Sequence, residues 1–326
     1  MSQFLGVAFQ PYVGRWTGTP PNATTPQWNS YSQQDIVKML EVIASQFTKI
    51  STYGMGFAGY YPPTTPWNKV DSNCRVAGAA AQLNKVRNQV AIEVAQGIYQ
   101  QSDAGLQQAE IAAAFSAARG ANAEFPKTVT SLVFTNEYVV DAHTANAVKA
   151  MIVANKQKAH EFGIKVGVRS HTFGNITSQS SPFYNELKTL IQNCDFIQCN
   201  LYPGLKARTP QDGVNGVSEA FNKIKSAVAG INRQCEVMIG ETGWPSRGVS
   251  FNNTDNNVKN LLAYVEAIDK WASQQRVITY LFEAIDEPWK SNPNKQDPPW
   301  QGPNGAEGHY GLWYLNDSGG YTKKHV

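Results

Sequence analysis

The chain has 326 residues, which is long for an ordinary domain but usual for one α/β barrel. Charged residues make up only 16% of the chain and its formal net charge is +3, so the composition does not favour a nucleic-acid partner. No apolar run approaches the length of a membrane span. The sequence opens on a strand-like run without a signal sequence, which predicts either a cytosolic protein or the processed form of a secreted one.

Apolar runs with strand character alternate with helical periodicity along the whole chain. Eight runs predict strands, at 4–9, 49–53, 89–95, 130–135, 165–169, 196–200, 236–240 and 277–282. Seven periodic stretches predict helices, near 36–47, 76–88, 103–119, 144–162, 182–191, 216–229 and 256–274. Such alternation forms parallel βαβ units, and eight units close a barrel. We therefore predict an α/β fold, a single (β/α)8 TIM barrel with long βα loops that spans 1–326 as one domain. A doubly wound open sheet is the alternative.

Two of the predicted strands end in a glutamate. The run 130–135 leads into Asn136-Glu137, and the run 236–240 leads into Glu241. In a barrel of parallel strands, catalytic residues come from this end of the strands. A lone acid there is more often a turn residue or a helix cap. Two copies of the pattern, 104 positions apart, instead predict a facing pair of catalytic carboxyls.

Motifs for metals and cofactors give no positive signal. Residues 54–59 fit GxGxxG, but the Pro-rich run 60–66 cannot open the helix that a dinucleotide site needs, so we interpret this stretch as a loop over a cleft. The chain has no GxSxG, HExxH or P-loop, and its five histidines lack the spacing of metal ligands. We predict neither metal nor cofactor. His171 and His309 are expected to line a cleft without a chemical role.

The cysteines and the glycosylation tripeptides bear on the compartment. Cys194 and Cys235 each precede a predicted strand, so in a parallel sheet with these strands adjacent both would lie at its N-terminal face, and we predict a Cys194–Cys235 disulfide. The tripeptides favour a secreted protein and lie in predicted loops at Asn22, Asn175, Asn252 and Asn316.

Three stretches together carry a family resemblance. They are Asn136-Glu137, the block 240–246 (Gly-Glu-Thr-Gly-Trp-Pro-Ser), and the segment 282–290 (Phe-Glu-Ala-Ile-Asp-Glu-Pro-Trp-Lys) with 307–312 after it. With them the chain resembles glycoside hydrolase family 17, and more narrowly its fungal cell-wall β-1,3-glucanases and β-1,3-glucanosyltransferases, over nearly its whole length. The block 240–246 is highly specific, whereas Asn-Glu alone is much less so. The segment 282–290 differs from the plant enzymes in its central residues.

The resemblance implies a (β/α)8 barrel, retention at the anomeric carbon and no metal. It implies Glu137 as the general acid/base at the end of the fourth strand and Glu241 as the nucleophile at the end of the seventh. Trp244 is a further candidate, either as a sugar platform or as core packing beneath the nucleophile loop. The implied substrate-binding residues are Tyr53, Asn136, Tyr202, Glu287, Lys290 and Glu307.

Retaining cleavage of a glycosidic bond needs two carboxyls about 5–5.5 Å apart, one to protonate the leaving oxygen and one to attack the anomeric carbon. Burial and the charge of Glu241 are expected to raise the pKa of Glu137, and a donor such as Tyr202 would help to keep Glu241 ionised. Asn136 is expected to hydrogen-bond a sugar 2-hydroxyl.

The resemblance favours a secreted, monomeric 1,3-β-glucanosyltransferase of cell-wall remodelling that acts on β-1,3-glucan and laminari-oligosaccharides, with no nucleic-acid or membrane partner. Aromatic acceptor subsites favour transfer, and the candidates are Tyr60, Trp67, Trp289 and Trp300. The alternatives are an endo-β-1,3-glucanase, a catalytically silent β-glucan-binding barrel, and a barrel glycosidase for β-1,4-glucans or mannans.

Overall fold

The structure, a computed structural model, describes residues 1–13, 31–56, 73–252, 254–291 and 297–326. Eight parallel strands pair in sequence order and close into a barrel, which confirms the predicted fold class. The strands are β1 (Leu5–Ala8), β2 (Lys49–Ser51), β3 (Glu93–Ile98), β4 (Val129–Asn136), β5 (Lys165–Ser170), β6 (Phe196–Asn200), β7 (Glu236–Thr242) and β8 (Thr279–Leu281).

Seven α-helices are present in the described part of the chain. They are α1 (Gln33–Ile43), α2 (Val76–Arg87), α3 (Ala104–Glu124), α4 (Ala142–Glu161), α5 (Tyr184–Asn193), α6 (Pro210–Ile231) and α7 (Val258–Gln275). Side chains cap the first turns of α1, α3, α4, α6 and α7. At α6, Thr209 and Asp212 form a capping box with Pro210 in the first turn. After β8, the described residues form 3₁₀ turns at Pro288–Lys290 and Pro299–Gln301, and then an antiparallel hairpin of β9 (Trp313–Leu315) and β10 (Tyr321–Lys323).

Strand β3 begins later than the sequence predicts, at Glu93 rather than 89. Helix α2 ends at Arg87 and is capped by Asn88, which adopts a left-handed conformation. The buried amide of Asn84 then accepts hydrogen bonds from the backbone N–H groups of Ala91 and Ile92, both at 2.8 Å. Because a side chain and not a neighbouring strand satisfies these N–H groups, the pairing of β3 with β2 starts only after them, at Glu93.

The barrel interior changes from apolar to polar towards the carboxyl ends of the strands. Its apolar layer consists of Ala95, Val133, Phe196, Met238 and Tyr280. Gln198 lies two residues beyond Phe196 along β6 and so points to the same side of the strand. Together with Ser51 and Arg169, Gln198 forms a fully buried polar layer. Polar groups are therefore concentrated next to the end of the barrel where active sites of this fold are built.

Gly240 makes room for this polar layer. A Cβ atom at Gly240 would lie 2.8 Å from the Cβ of Gln198 and 2.9 Å from both the Cδ of Arg169 and the Oδ1 of Asn200. Only glycine leaves room for the Arg169 side chain beside the end of β7, which carries Glu241. This requirement explains the glycine that precedes the glutamate in the block 240–246.

The predicted disulfide is not formed. Cys194 and Cys235 lie just before the paired strands β6 and β7, as expected, but all four cysteines are free thiols. The Sγ of Cys194 donates to the carbonyl of Leu190 at 3.3 Å. Burial raises the pKa of the Cys235 thiol to about 12, which disfavours the thiolate that disulfide formation needs.

The glycosylation tripeptides differ in accessibility. Asn252 is buried and its Nδ2 donates to the carbonyl of Pro203 at 2.9 Å, so this asparagine cannot carry a glycan in the folded chain. Asn22 lies outside the described residues. Within the described ranges, no helix combines the length and the apolar character needed to cross a bilayer.

Candidate active site

A cavity of about 860 Å³ opens beyond the carboxyl ends of the barrel strands, and both strand-end glutamates line it. Glu137 arrives from β4 and Glu241 from β7. Five of the other predicted site residues line the same cavity: Tyr53, Asn136, Tyr202, Lys290 and Glu307. The barrel thus brings together, in one cleft, residues that lie more than 250 positions apart in the chain.

The backbone around Glu137 departs from a regular strand. The pairing of β4 with β5 shifts register between Phe134 and Asn136, and Thr135 and Glu137 have φ angles of 62° and 54°. A left-handed conformation at a residue other than glycine costs on the order of 1–3 kcal/mol and is concentrated at functional sites. The irregularity turns the end of β4 so that Asn136 and Glu137 both reach the cleft.

Arg169 holds the floor of the cleft together. This fully buried side chain donates from Nε to Asn136 Oδ1 at 2.8 Å, from Nη1 to Ser51 Oγ at 3.1 Å and from Nη2 to the Thr52 carbonyl at 2.9 Å. Its Nε also lies 3.7 Å from Glu241 Oε1. The bond to Oδ1 fixes the Asn136 amide, leaving its NH₂ group as the half available to a sugar hydroxyl.

Sequence reasoning did not identify Arg169. The available signal was a charged residue within the apolar run of a predicted buried strand, where an unpaired charge would be costly. The guanidinium carbon also lies 4.1 Å from the ring centroid of Tyr53, which places the predicted cleft residue Tyr53 directly over the arginine.

Glu241 is a buried carboxylate fixed by hydrogen bonding. Its Oε2 accepts from the hydroxyl of Tyr202 at 3.0 Å. Burial raises the pKa of Glu241 to about 7, and the negative charge of Glu137 adds to this, while Arg169 and the Tyr202 hydroxyl act in the opposite direction. The group is therefore poised to change its charge near neutral pH.

Glu137 is more exposed and has different partners. Its Oε1 accepts from Asn200 Nδ2 at 2.9 Å and lies 3.5 Å from His171 Nδ1. Burial alone would raise the pKa of Glu137, but the contacts with His171 and Asn200 outweigh it and hold the pKa below its ordinary value. In the free protein the pKa of Glu241 is thus raised and that of Glu137 lowered, which is the reverse of the sequence-based expectation. The sequence could not assign the partners on β5 and β6 that cause this difference.

Lys290 neutralises a second acidic cluster at the cleft wall. Its Nζ lies 2.8 Å from Glu283 Oε2 and 2.7 Å from Glu287 Oε2, and 4.4 Å from the centroid of the Phe282 ring. Glu287 is buried behind Lys290 and also accepts from Gln10 Nε2 at 3.2 Å. Lys290 therefore faces the cavity, Glu287 holds it in place, and Glu283 is a buried partner that the sequence did not suggest.

Trp244 does not belong to the cleft, so its assignment as a substrate-binding residue is wrong. The side chain is fully buried, its Nε1 donates to the Asp255 carbonyl at 3.0 Å, and its ring packs against Tyr264 of α7. Trp244 points outward into the layer between strands and helices, where it supports the loop after β7. The position of Trp244 corresponds to the second interpretation of this residue, core packing beneath the nucleophile loop.

Aromatic side chains form much of the cavity wall. Trp289 and Trp300 line it and pack edge-on against Tyr12 and Phe251 respectively, each pair with ring centroids 6.3 Å apart. The other two aromatic candidates, Tyr60 and Trp67, lie outside the described residues. Flat rings with one open face suit the apolar faces of sugar rings.

A (β/α)8 barrel with two glutamates in one cleft is typical of barrel glycosidases. Residues 69–311, more than half of the chain, match the family of the BtgE/BtgC glycoside hydrolase domain, and the chain belongs to this family.

Curated relatives are similar over shorter stretches. A glucan 1,3-beta-glucosidase of Saccharomyces cerevisiae is 25% identical over 141 residues, which covers 41% of this chain and 41% of the relative. A glucan 1,3-beta-glucosidase of Candida albicans is 31% identical over 103 residues, or 30% of this chain and 29% of the relative. The matched region thus spans well under half the length of either relative.

Solved structures share the fold over almost the whole chain. An endo-laminarinase from Formosa superposes with a TM-score of 0.66 at 16% identity, covering 96% of this chain and 83% of that one. A glycoside hydrolase family 17 β-1,3-glucanosyltransferase from Rhizomucor miehei gives 0.63 at 17% identity, covering 98% and 96%. An active-site mutant of the Rhizomucor miehei β-1,3-glucanosyltransferase, in complex with laminaritriose, gives 0.64 at 16% identity, covering 98% and 96%.

Proposed function

We propose that the protein is a retaining enzyme of glycoside hydrolase family 17 that acts on β-1,3-glucan through a covalent glycosyl-enzyme. In this proposal Glu241 is the nucleophile and Glu137 is the general acid/base. The observation that carries it is that the two glutamates, from strands on different sides of one barrel, line a single cavity. The names of the relatives supply the substrate class: glucan 1,3-beta-glucosidase, endo-laminarinase and β-1,3-glucanosyltransferase.

The environments of the two glutamates support this division of roles. A nucleophile has to be held at a fixed position, and Glu241 is 6% exposed, bonded to Tyr202 and next to Arg169. An acid/base exchanges protons with water between its two half-reactions, and the side chain of Glu137 is 42% exposed. Arg169 stabilises the carboxylate form of Glu241, while the negative charge of Glu137 opposes it.

The reaction then proceeds in two steps. Glu241 attacks the anomeric carbon while Glu137 protonates the departing oxygen, which leaves a glucosyl ester on Glu241. Forming the ester removes the negative charge of Glu241, so Glu137 next accepts a proton from the group that attacks the ester. Asn136, whose amide is fixed by Arg169, donates to the 2-hydroxyl of the reacting sugar.

We further propose that a sugar hydroxyl, rather than water, is the usual second nucleophile, which makes the protein a 1,3-β-glucanosyltransferase of the cell wall. Trp289 and Trp300 support this proposal because aromatic walls can hold an acceptor sugar and displace water. The alternatives are hydrolysis only, as an endo-β-1,3-glucanase, and binding without catalysis. A monomeric, secreted, single-domain protein without metal or cofactor remains part of the proposal.

One experiment separates these outcomes. The protein is incubated with a defined laminari-oligosaccharide in ¹⁸O-labelled water, and the products are sized by mass spectrometry. Products longer than the starting oligosaccharide, with no label at any reducing end beyond that from normal exchange, support transfer. Shorter products alone, with label at one new reducing end per cleavage, support an endoglucanase.

Two variants and a substrate panel complete the test. Glu137→Gln and Glu241→Gln are each expected to lower the rate by several orders of magnitude with the fold intact. Equal turnover by wild type and either variant would remove that residue from its role. Cleavage of β-1,4-glucan or mannan in preference to laminarin would contradict the proposed substrate.

A further inference from the structure

His171 stands at the edge of the cleft beside Glu137. It directly follows β5 and lines the cavity, and about half of its side chain is exposed. Its Nδ1 lies 3.5 Å from Glu137 Oε1, the same oxygen that accepts from Asn200 Nδ2. This contact is slightly long for a direct hydrogen bond, and a small closing movement or one bridging water molecule would bring the two groups into proton-transfer geometry.

The charges around His171 come from three strands. Glu137 faces it from the end of β4 and is its nearest charged neighbour. Glu241 acts on it from β7, and Arg169 lies on β5 itself. The contact raises the pKa of His171 and helps to lower that of Glu137, so when the pair binds one proton, that proton resides on the imidazole. A general acid, however, has to carry the proton itself when the leaving oxygen arrives.

We propose that His171 is the proton reservoir of Glu137. The inference depends on the proposed roles of the two glutamates. When substrate binds, the imidazolium Nδ1–H gives its proton to the Glu137 carboxylate and His171 becomes neutral; in the first half-reaction this proton passes from Glu137 to the leaving oxygen. In the second half-reaction, Glu137 takes a proton from the attacking hydroxyl and the proton returns to Nδ1. No proton is gained or lost over the cycle.

The binding of substrate supplies the reason for the proton to move. An imidazolium–carboxylate pair at a water-filled cleft is stabilised by solvation. A glucan chain that fills the cleft removes this water, and in a less polar surrounding the neutral imidazole with a protonated carboxyl is favoured over the ion pair. The proton is therefore on Glu137 only when substrate is present. Before that, His171 keeps it beside the cleft, where bulk water can restore it.

The test compares two substrates that differ only in their leaving group. A laminari-oligosaccharide needs protonation of its leaving oxygen, whereas a dinitrophenyl β-laminarioligosaccharide does not. For each, kcat/KM is measured against pH for wild type, His171→Gln and the control His143→Gln, an exposed histidine near the start of α4. Glutamine can still donate to Glu137 but cannot supply a proton.

We expect His171→Gln to lose about 10- to 100-fold in kcat/KM on the oligosaccharide, since assistance by a general acid contributes about 100-fold or more. On the dinitrophenyl substrate its kcat/KM should stay within about twofold of wild type, which also shows that the fold is intact. The alkaline limb for the oligosaccharide should move to lower pH, because without the imidazole the proton on Glu137 is lost earlier. His143→Gln should resemble wild type on both.

Equal losses on both substrates, or no loss on either, would overturn the role of His171. The variant Glu137→Gln in the same assay tells this failure from that of the proposed function. If Glu137→Gln loses activity only on the oligosaccharide while His171→Gln resembles wild type, the reservoir is wrong and the acid/base assignment stands. If Glu137→Gln is also indifferent to the leaving group, the acid/base assignment itself fails.

Discussion

The charge of Arg169 should set the pH at which the enzyme becomes active. Its Nε lies 3.7 Å from Glu241 Oε1, and both side chains are buried. Two unit charges about 4 Å apart attract by about 4 kcal/mol at an effective dielectric of about 20. The cost of burying the guanidinium offsets part of this, and a neighbouring arginine commonly lowers the pKa of a carboxyl by about 1–3 pH units. Arg169→Met should therefore raise the pKa of Glu241 from about 7 by that amount.

The sign of the effect follows from the proposed role of Glu241. A nucleophile acts as the carboxylate, so kcat/KM falls as the pH drops below its pKa. In wild type this acid limb should run through about pH 7. In Arg169→Met it should lie about 1–3 pH units higher, so that an assay on the acid side of both limbs shows a loss of about 10- to 1000-fold.

The assay is kcat/KM for a laminari-oligosaccharide over a wide pH range, with unfolding followed for each variant. Arg169→Lys keeps the charge but loses the bond to Asn136. Its acid limb should therefore lie close to the wild-type pH, while its kcat/KM should stay below that of wild type. The matched control is Ser51→Ala, which removes the acceptor of Nη1 without changing any charge and should leave the limb in place. An acid limb in Arg169→Met at the wild-type pH would show that the charge of Arg169 does not set the pKa of Glu241.

Three further predictions concern other parts of the barrel. Tyr202→Phe removes the donor to Glu241 Oε2 and should cost about 1.5–3 kcal/mol, seen as about a 10- to 100-fold loss of kcat/KM; an unchanged rate would contradict it. Gly240→Ala should destabilise the fold by about 1–3 kcal/mol in denaturant unfolding, since its Cβ would overlap the polar layer. Gly230→Ala, with nothing within 4 Å, is its control. Titration of the unfolded, unreduced chain should find four free thiols; a count of two would indicate that a disulfide is present after all.

The fold and the two glutamates could be predicted because their signals are local. Each barrel strand is a short apolar run, and the alternation with helices leaves few topologies to choose from. The carboxyl ends of parallel strands meet at one face of the barrel, so Glu137 and Glu241 could be placed in one cleft without knowing any distance.

The partners of these glutamates could not be predicted in the same way. Arg169, Asn200 and His171 reach the carboxylates only because β5 and β6 lie between β4 and β7 in the closed barrel. Their contacts decide which pKa rises and which falls, and a sequence pattern contains no information on such distances. Trp244 shows a related limit: beyond the end of a strand, the alternation of faces no longer tells which side a ring takes.

The proposed mechanism depends most on Glu241 as the residue that bonds to the sugar. A 2-deoxy-2-fluoro laminarioligosyl fluoride forms the glycosyl-enzyme quickly and releases it slowly, so peptide mass spectrometry can locate the attached sugar. We expect a single labelled peptide with the sugar esterified to Glu241, and no labelling of Glu241→Gln. A sugar on Glu137 would contradict the role of Glu241 as the nucleophile.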